Sequence, residues 1–178
     1  MEIELIAYCG LYCGACSFKL AHDTNEMGHL LCMPARYDPH KGAMPEFCPG
    51  CRLENQCGPC GIRDCARAKS LDHCGQCDAF PCQRLIDFNG DGASHHAESI
   101  ANLESLNTLG PEAWLARQRD AWTCPCGLRR SWYLPECRHG GSDPSRPAGC
   151  ETPGVMAFSS CPPRIPVILN TQPLSSQT

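Results

Sequence analysis

Cysteine sets the terms for this sequence: seventeen of its 178 residues are cysteine. That density belongs to scaffolds held by cross-links or metal rather than by a large apolar core. Twelve of them fall in residues 1–92: Cys9, Cys13, Cys16, Cys32, Cys48, Cys51, Cys57, Cys60, Cys65, Cys74, Cys77 and Cys82. Three C-x2-C pairs stand within thirty residues, at Cys48/Cys51, Cys57/Cys60 and Cys74/Cys77. A tight turn at that spacing points two sulfurs into one hollow, and two such pairs complete a tetrahedral zinc site with bonds of about 2.3 Å. The unit C-x2-C-x4-C occurs twice, as Cys57-Cys60-Cys65 and Cys74-Cys77-Cys82. The pattern therefore predicts structural zinc, more than one ion, with the early cysteines completing the ligand sets.

Competing chemistries predict different surroundings. A thioredoxin-like dithiol stands alone at the start of a helix after a strand, whereas these pairs are crowded and bordered by Gly and Pro, which weighs against dithiol oxidoreduction. Catalytic zinc needs an open coordination position and commonly His and Glu ligands. The seven histidines form no His-Glu-x-x-His motif and no deaminase signature joining His-x-Glu to Pro-Cys-x-x-Cys, and no nucleophile elbow, phosphate loop or dinucleotide fingerprint is present. The sequence thus leans away from an enzyme. His73 beside Cys74 and the pair His95-His96 are candidate extra ligands, although exposed polar positions at a helix entrance account better for the pair. Cys9-x3-Cys13-x2-Cys16 has the spacing that holds the iron–sulfur cluster of radical S-adenosylmethionine enzymes, but Ala15 stands where those enzymes place an aromatic residue. An iron–sulfur protein using Cys9, Cys13 and Cys16, for electron transfer or small-molecule chemistry, is the alternative to zinc.

Between the cysteines the elements are short. Leu5–Tyr8 reads as a strand leading into the first cluster, and Ala15–His22 as a short helix. Ile62–Ser70 lacks Pro and Gly and reads as a helix, and Pro81–Phe88 as another, opened by a proline at its first position and stopped by Asn89-Gly90. From His95 to Trp122 there is no cysteine. Ile100, Leu103 and Leu106 share a face there, and Pro111-Glu112 opens a second helix carrying Trp114, Leu115 and Ala121, a hairpin broken at Gly110. Beyond it the chain turns rich in Gly, Ser and Pro, and its last residues are expected to pack weakly.

Three stretches carry a family resemblance: Tyr8-Cys9-Gly10-Leu11-Tyr12-Cys13-Gly14-Ala15-Cys16, then Cys57-Gly58-Pro59-Cys60-Gly61-Ile62-Arg63-Asp64-Cys65-Ala66, then Cys74-Gly75-Gln76-Cys77-Asp78-Ala79-Phe80-Pro81-Cys82. Over residues 5–90 the chain resembles an uncharacterised cysteine-rich bacterial and archaeal family known as domain of unknown function 3795 (DUF3795). The resemblance implies zinc binding and no assigned activity. The later part is similar to a zinc-ribbon-like extension of some members, in which a tryptophan precedes C-P-x-C-G and a second C-x2-C-G follows. Here Trp122-Thr123-Cys124-Pro125-Cys126-Gly127 is one residue short, and Cys137-Arg138-His139 replaces the second pair. That likeness implies a degenerate fourth site of Cys124, Cys126, Cys137 and His139, with Cys150 or Cys161 as substitutes.

Charge and hydropathy bound the partners. The formal net charge is −4, opposite to the basic balance of a nonspecific nucleic-acid binder, so a protein partner is favoured over nucleic acid. No run approaches the roughly 18 apolar residues of a membrane span, and the first residues lack the basic and apolar regions of a secretory signal. A soluble cytoplasmic protein is expected, in a compartment where closely spaced cysteines bind metal or do redox chemistry. The predicted class is a small metal-stabilised α+β fold, mainly α with short irregular β. It comprises a cysteine-rich metal-binding module at 1–92, a helical hairpin at 93–122 packed on it, a degenerate zinc-ribbon-like segment at 123–140 and a Gly/Ser/Pro-rich tail at 141–178. Its expected role is a structural or protein-interaction module.

Overall fold

The structure is a computed structural model and describes residues 2–25, 30, 48–53, 59–125 and 127–133. Five α-helices carry it: α1 (Ser17–Thr24), α2 (Gly61–Ala68), α3 (Gln83–Asn89), α4 (Ser99–Leu109) and α5 (Pro111–Trp122). Single 3-10 turns occupy Ile3–Leu5, Cys13–Ala15, Cys74–Gln76 and His96–Glu98.

α4 and α5 are adjacent because one residue between them reverses the chain. Gly110 takes φ +77°, a conformation that costs a glycine little, and its N–H closes α4 on the Leu106 carbonyl at 3.0 Å. Pro111, whose fixed φ suits a first helical position, opens α5. Leu103 and Leu106 on α4, and Trp114, Leu115 and Trp122 on α5, are all buried. Their spacing, three residues on α4 and seven or eight on α5, forms one apolar stripe per helix. The N-terminal segment covers those stripes: Ile6, Leu11, Tyr12 and Ala15 join them, with Ile62 of α2 and Leu85 of α3, in one core. Tyr12 meets Trp114 edge to face at 6.2 Å between ring centres. A second apolar group gathers Phe18, Ala21, Leu30 and Cys48 around α1.

The expected α+β class is overturned: among the described residues the chain is helical, with no β-strand. Leu5–Tyr8, read from sequence as a strand, is instead a 3-10 turn followed by a single antiparallel bridge between Ile6 and Tyr12. The cause is local. Gly10 at φ +86° turns the chain inside a loop closed by the Ala7 N–H on the Leu11 carbonyl at 2.9 Å, and the turn at Cys13–Ala15 diverts it at once. No second pair is left to extend a ladder. The ribbon-like extension fares similarly, since residues 123–129 make one bridge, Thr123 to Arg129, around Gly127. The chain then folds back: the Trp132 N–H donates to the Ala15 carbonyl at 3.0 Å, and the buried hydroxyls of Ser17 and Ser131 bond at 2.9 Å. Pro81 is not the first residue of α3 either. Its peptide with Phe80 is cis, and Cys82 is the residue that caps the helix. Among the described residues no helix is long and apolar enough to cross a membrane.

Candidate functional site

The described thiols fall into two groups, one on the N-terminal turns and one around α2 and α3. The inner group is assembled by backbone. Cys9 sits at the Gly10 turn, Cys13 begins a 3-10 turn, and Cys16 caps α1. Cys48 is drawn against α1 by its N–H on the Phe18 carbonyl at 3.2 Å. Arg52 fixes the segment that carries Cys51: its Nε donates to the Ile3 and Ile6 carbonyls at 2.9 Å each, its NH2 group donates to Asp72 O at 2.6 Å, and its guanidinium lies 4.7 Å from the centre of the Tyr8 ring. Backbone N–H groups then donate to the sulfurs, Leu11 to Cys9, Cys51 to Cys13, and Tyr8 to Cys51. Such donors favour a thiolate, yet burial outweighs them. Burial first, then repulsion from Cys51, holds Cys9 and Cys13 well above the usual thiol range. Burial likewise pushes Cys16 up to about 12 and raises Cys51, with Cys60 the next cause at Cys51.

The outer group lies where α2, the Cys74–Gln76 turn and the start of α3 meet. Cys60 caps α2, Cys65 lies one turn inside it, and Cys82 caps α3. The Cys77 N–H returns to the Cys74 carbonyl at 3.1 Å, closing a turn that sets both ends of this C-x2-C pair together. Its two thiols differ in character. The Ala79 N–H donates to Cys77 Sγ, Lys69 Nζ approaches the same sulfur at 3.3 Å, and together they lower the Cys77 pKa against a small burial penalty and the charge of Asp78. Cys74 is pushed up to about 11, chiefly by burial and then by Cys82 and Cys65. A thiol with a stabilised anion therefore stands beside one that keeps its proton, an arrangement compatible with thiol–disulfide exchange.

The expectation of zinc, and its iron–sulfur alternative on Cys9, Cys13 and Cys16, are both overturned. Among the described residues no group of three or more Cys, His, Asp or Glu side chains is arranged to hold a metal ion. The physical reason is placement: Cys9 and Cys13 are packed into the core, Cys48 is buried beside α1, and Cys60, Cys65 and Cys82 are distributed along α2 and at the start of α3. Neutral thiols pack as small apolar side chains, and Cys9 and Cys13 belong to the core. Cys124 is buried and disulfide-bonded, so it is not a ligand of the proposed fourth site. Cys32, Cys57, Cys126, Cys137, His139, Cys150 and Cys161 lie outside the described residues. The candidate histidines have other roles. His95 is buried and stacks on Trp132 at 4.5 Å, and His96 Nδ1 lies 2.7 Å from the Asp91 carboxylate while its ring stacks on Phe88. His73 is buried, and burial lowers its pKa.

Lys69 is the residue that sequence reasoning passed over. It ends α2 and lies four residues after Cys65 and eight before Cys77. A lysine at the foot of a cysteine-bearing helix just before a C-x2-C pair is the signal that was there to be read. In comparisons with known proteins, residues 5–87 match the family described as "Protein of unknown function (DUF3795)". That span takes in both thiol groups and ends inside α3. No curated protein and no solved structure matches the chain.

Proposed function

We propose that the chain is a thiol–disulfide exchange protein with Cys77 as the attacking thiolate and Cys74 as its resolving partner. The observation that carries this reading is Lys69 Nζ at 3.3 Å from Cys77 Sγ, in a turn whose other end is Cys74. Cys77 attacks a disulfide of a small thiol or a protein and forms a mixed disulfide, expelling one thiolate. Cys74 then gives up its proton and attacks Cys77 Sγ, which expels the second thiolate and leaves the Cys74–Cys77 disulfide. Two electrons pass from the pair to the substrate disulfide. Cys74 and Cys77 both carry free thiols, and the acidic balance favours a protein substrate over nucleic acid.

Alkylation of the reduced full-length chain by iodoacetamide, followed site by site by mass spectrometry across pH, tests this directly. Cys77 should label first and at lower pH than any other described thiol. In Lys69→Ala its labelling at neutral pH should slow roughly threefold, since nucleophilicity partly offsets the smaller thiolate fraction. Labelling of Cys77 no faster than that of Cys65 or Cys82 would sink the reading.

A further inference from the structure

The contact between Lys69 and Cys77 joins an amine to a sulfur, and both of its ends are held by backbone. The Lys69 N–H bonds to the Cys65 and Ala66 carbonyls at 3.2 Å each, fixing the residue at the end of α2. The Cys77 N–H bonds to the Cys74 carbonyl at 3.1 Å, and the Cys77 carbonyl accepts the Phe80 N–H at 2.9 Å. Only the two side chains are left to turn, and they meet with Nζ 3.3 Å from Sγ. The place is open to solvent: Lys69, Asp78 and Ala79 are exposed and Cys77 is half-buried. The other described lysine, Lys19, is bonded instead to the Asp23 carboxylate at 2.6 Å. An acyl group carried by Cys77 is attached at Sγ, so an amine 3.3 Å from that sulfur stands within attacking range of the acyl carbon.

We infer that Lys69 is an acyl-acceptor site loaded through Cys77 by small acyl thioesters, and that its acylation slows the exchange pair. The second half rests on the exchange reading given above; the transfer itself needs only a nucleophilic Cys77. The Cys77 thiolate attacks the carbonyl carbon of the thioester, a bond forms from that carbon to Sγ, and the donor sulfur leaves as a thiolate. The Lys69 amine then attacks the same carbon, the bond to Sγ breaks, and an amide remains on Nζ. Of the two protons that the ammonium loses, one passes to solvent before the attack and one to the departing Cys77 sulfur. No electrons change hands, so no oxidant enters. Loading the sulfur also prepares the amine: the hydrogen bond to Cys77, and then the Cys77 charge, are what raise the Lys69 pKa, and both are lost when Sγ carries an acyl group. Cys74 can take the acyl group only as another thioester, which exchanges back, whereas the amide is stable. The product is a free Cys77 that keeps the Ala79 N–H and has lost the cation favouring its anion.

The reduced full-length protein is incubated with acetyl-coenzyme A at mildly alkaline pH, and its acetyl groups are located by mass spectrometry before and after neutral hydroxylamine, which removes thioesters and leaves amides. Lys69 should carry a hydroxylamine-resistant acetyl group. Cys77→Ser should slow its formation more than about tenfold and leave acetylation of Lys19 unchanged. Lys69→Arg keeps a cation but offers no amine, so the acetyl group should stay on Cys77 as a hydroxylamine-sensitive adduct. The acetylated wild-type chain should alkylate Cys77 at the slower rate expected of Lys69→Ala. If Lys69 stays unmodified in the wild-type chain, or is acetylated as fast in Cys77→Ser, or if Lys69→Arg holds no thioester, the transfer is overturned while the exchange reading stands. A Cys77 alkylation rate unchanged by acetylation of Lys69 overturns the control of exchange. Failure of Cys77 both to take up acetyl and to label ahead of Cys65 and Cys82 with iodoacetamide overturns both readings.

Discussion

A sulfur's reactivity in this molecule is decided by what lies within one hydrogen bond of it. Cys77 and Cys74 are three positions apart in one motif and still separate in acidity, because Lys69 and the Ala79 N–H reach the first while burial governs the second. Asp78 opposes the Cys77 anion. Asp78→Asn should therefore speed alkylation of Cys77 at neutral pH, roughly twofold, and leave Cys74 unlabelled under the same conditions. A rate unchanged by this substitution, measured beside Lys69→Ala, would show that the Ala79 N–H alone sets the thiolate. The motif that places Cys74 and Cys77 together is legible in the sequence. The difference between them is not, because it depends on Lys69 arriving from another element and on how deeply each sulfur is set. The same limit explains the zinc expectation: spacing shows which sulfurs can approach, and the packing of the elements then decides which of the described ones meet.

At the scale of elements, close approach of backbones is what holds α4 to the N-terminal turn. A Cβ on Gly10 would come within 2.6 Å of Leu103 Cγ and 2.8 Å of the Ser99 carbonyl, at a φ of +86° that side chains rarely adopt. Gly10→Ala should consequently destabilise the chain by about 2 kcal/mol, read as a lowered midpoint in chemical denaturation. Leu103, fully buried, should cost about 3 kcal/mol when cut to Ala, through lost transfer energy and the cavity left behind. An equal effect of Gly10→Ala and of a substitution at the open Gly92, which meets nothing within 4 Å, would remove the packing argument. Helices α4 and α5 could be read from the Gly110-Pro111 break and from the spacing of Leu103, Leu106, Trp114 and Leu115. The strand at Leu5–Tyr8 could not, because four apolar residues suit a strand or a turn equally, and the diversion at Cys13–Ala15 is tertiary. The start of α3 shifted from Pro81 to Gln83 for a similar reason, since Cys82 rather than the proline became the cap.

For the molecule as a whole, the inner thiols couple stability to alkali. Cys9, Cys13, Cys16, Cys51 and Cys74 keep their protons in the folded chain to higher pH than in the unfolded one. Above about pH 8.5 the unfolded chain sheds them first, so it binds fewer protons than the folded chain and stability falls as pH rises. Under anaerobic reducing conditions Tm should decline steeply between about pH 8.5 and the range in which the folded thiols ionise, and Cys→Ala substitutions at Cys9 and Cys13 should flatten the decline. A Tm independent of pH there would mean that these sulfurs are not held neutral.

The one-residue reversal at Gly110 has a kinetic consequence. α4 and α5 are neighbours in sequence, so their contact closes a short loop and can form early, whereas the hydrogen bond between Tyr8 and Cys74 closes a loop of about sixty-five residues. Contacts of low sequence separation form first in small domains. The pair of helices then offers Leu103 and Trp114 as a ready surface on which the N-terminal turn condenses. The thiols are thus gathered last, onto a framework that contains no cysteine of its own, and the interval during nascent folding in which they stand open to wrong partners is shortened by the very segment that lacks them.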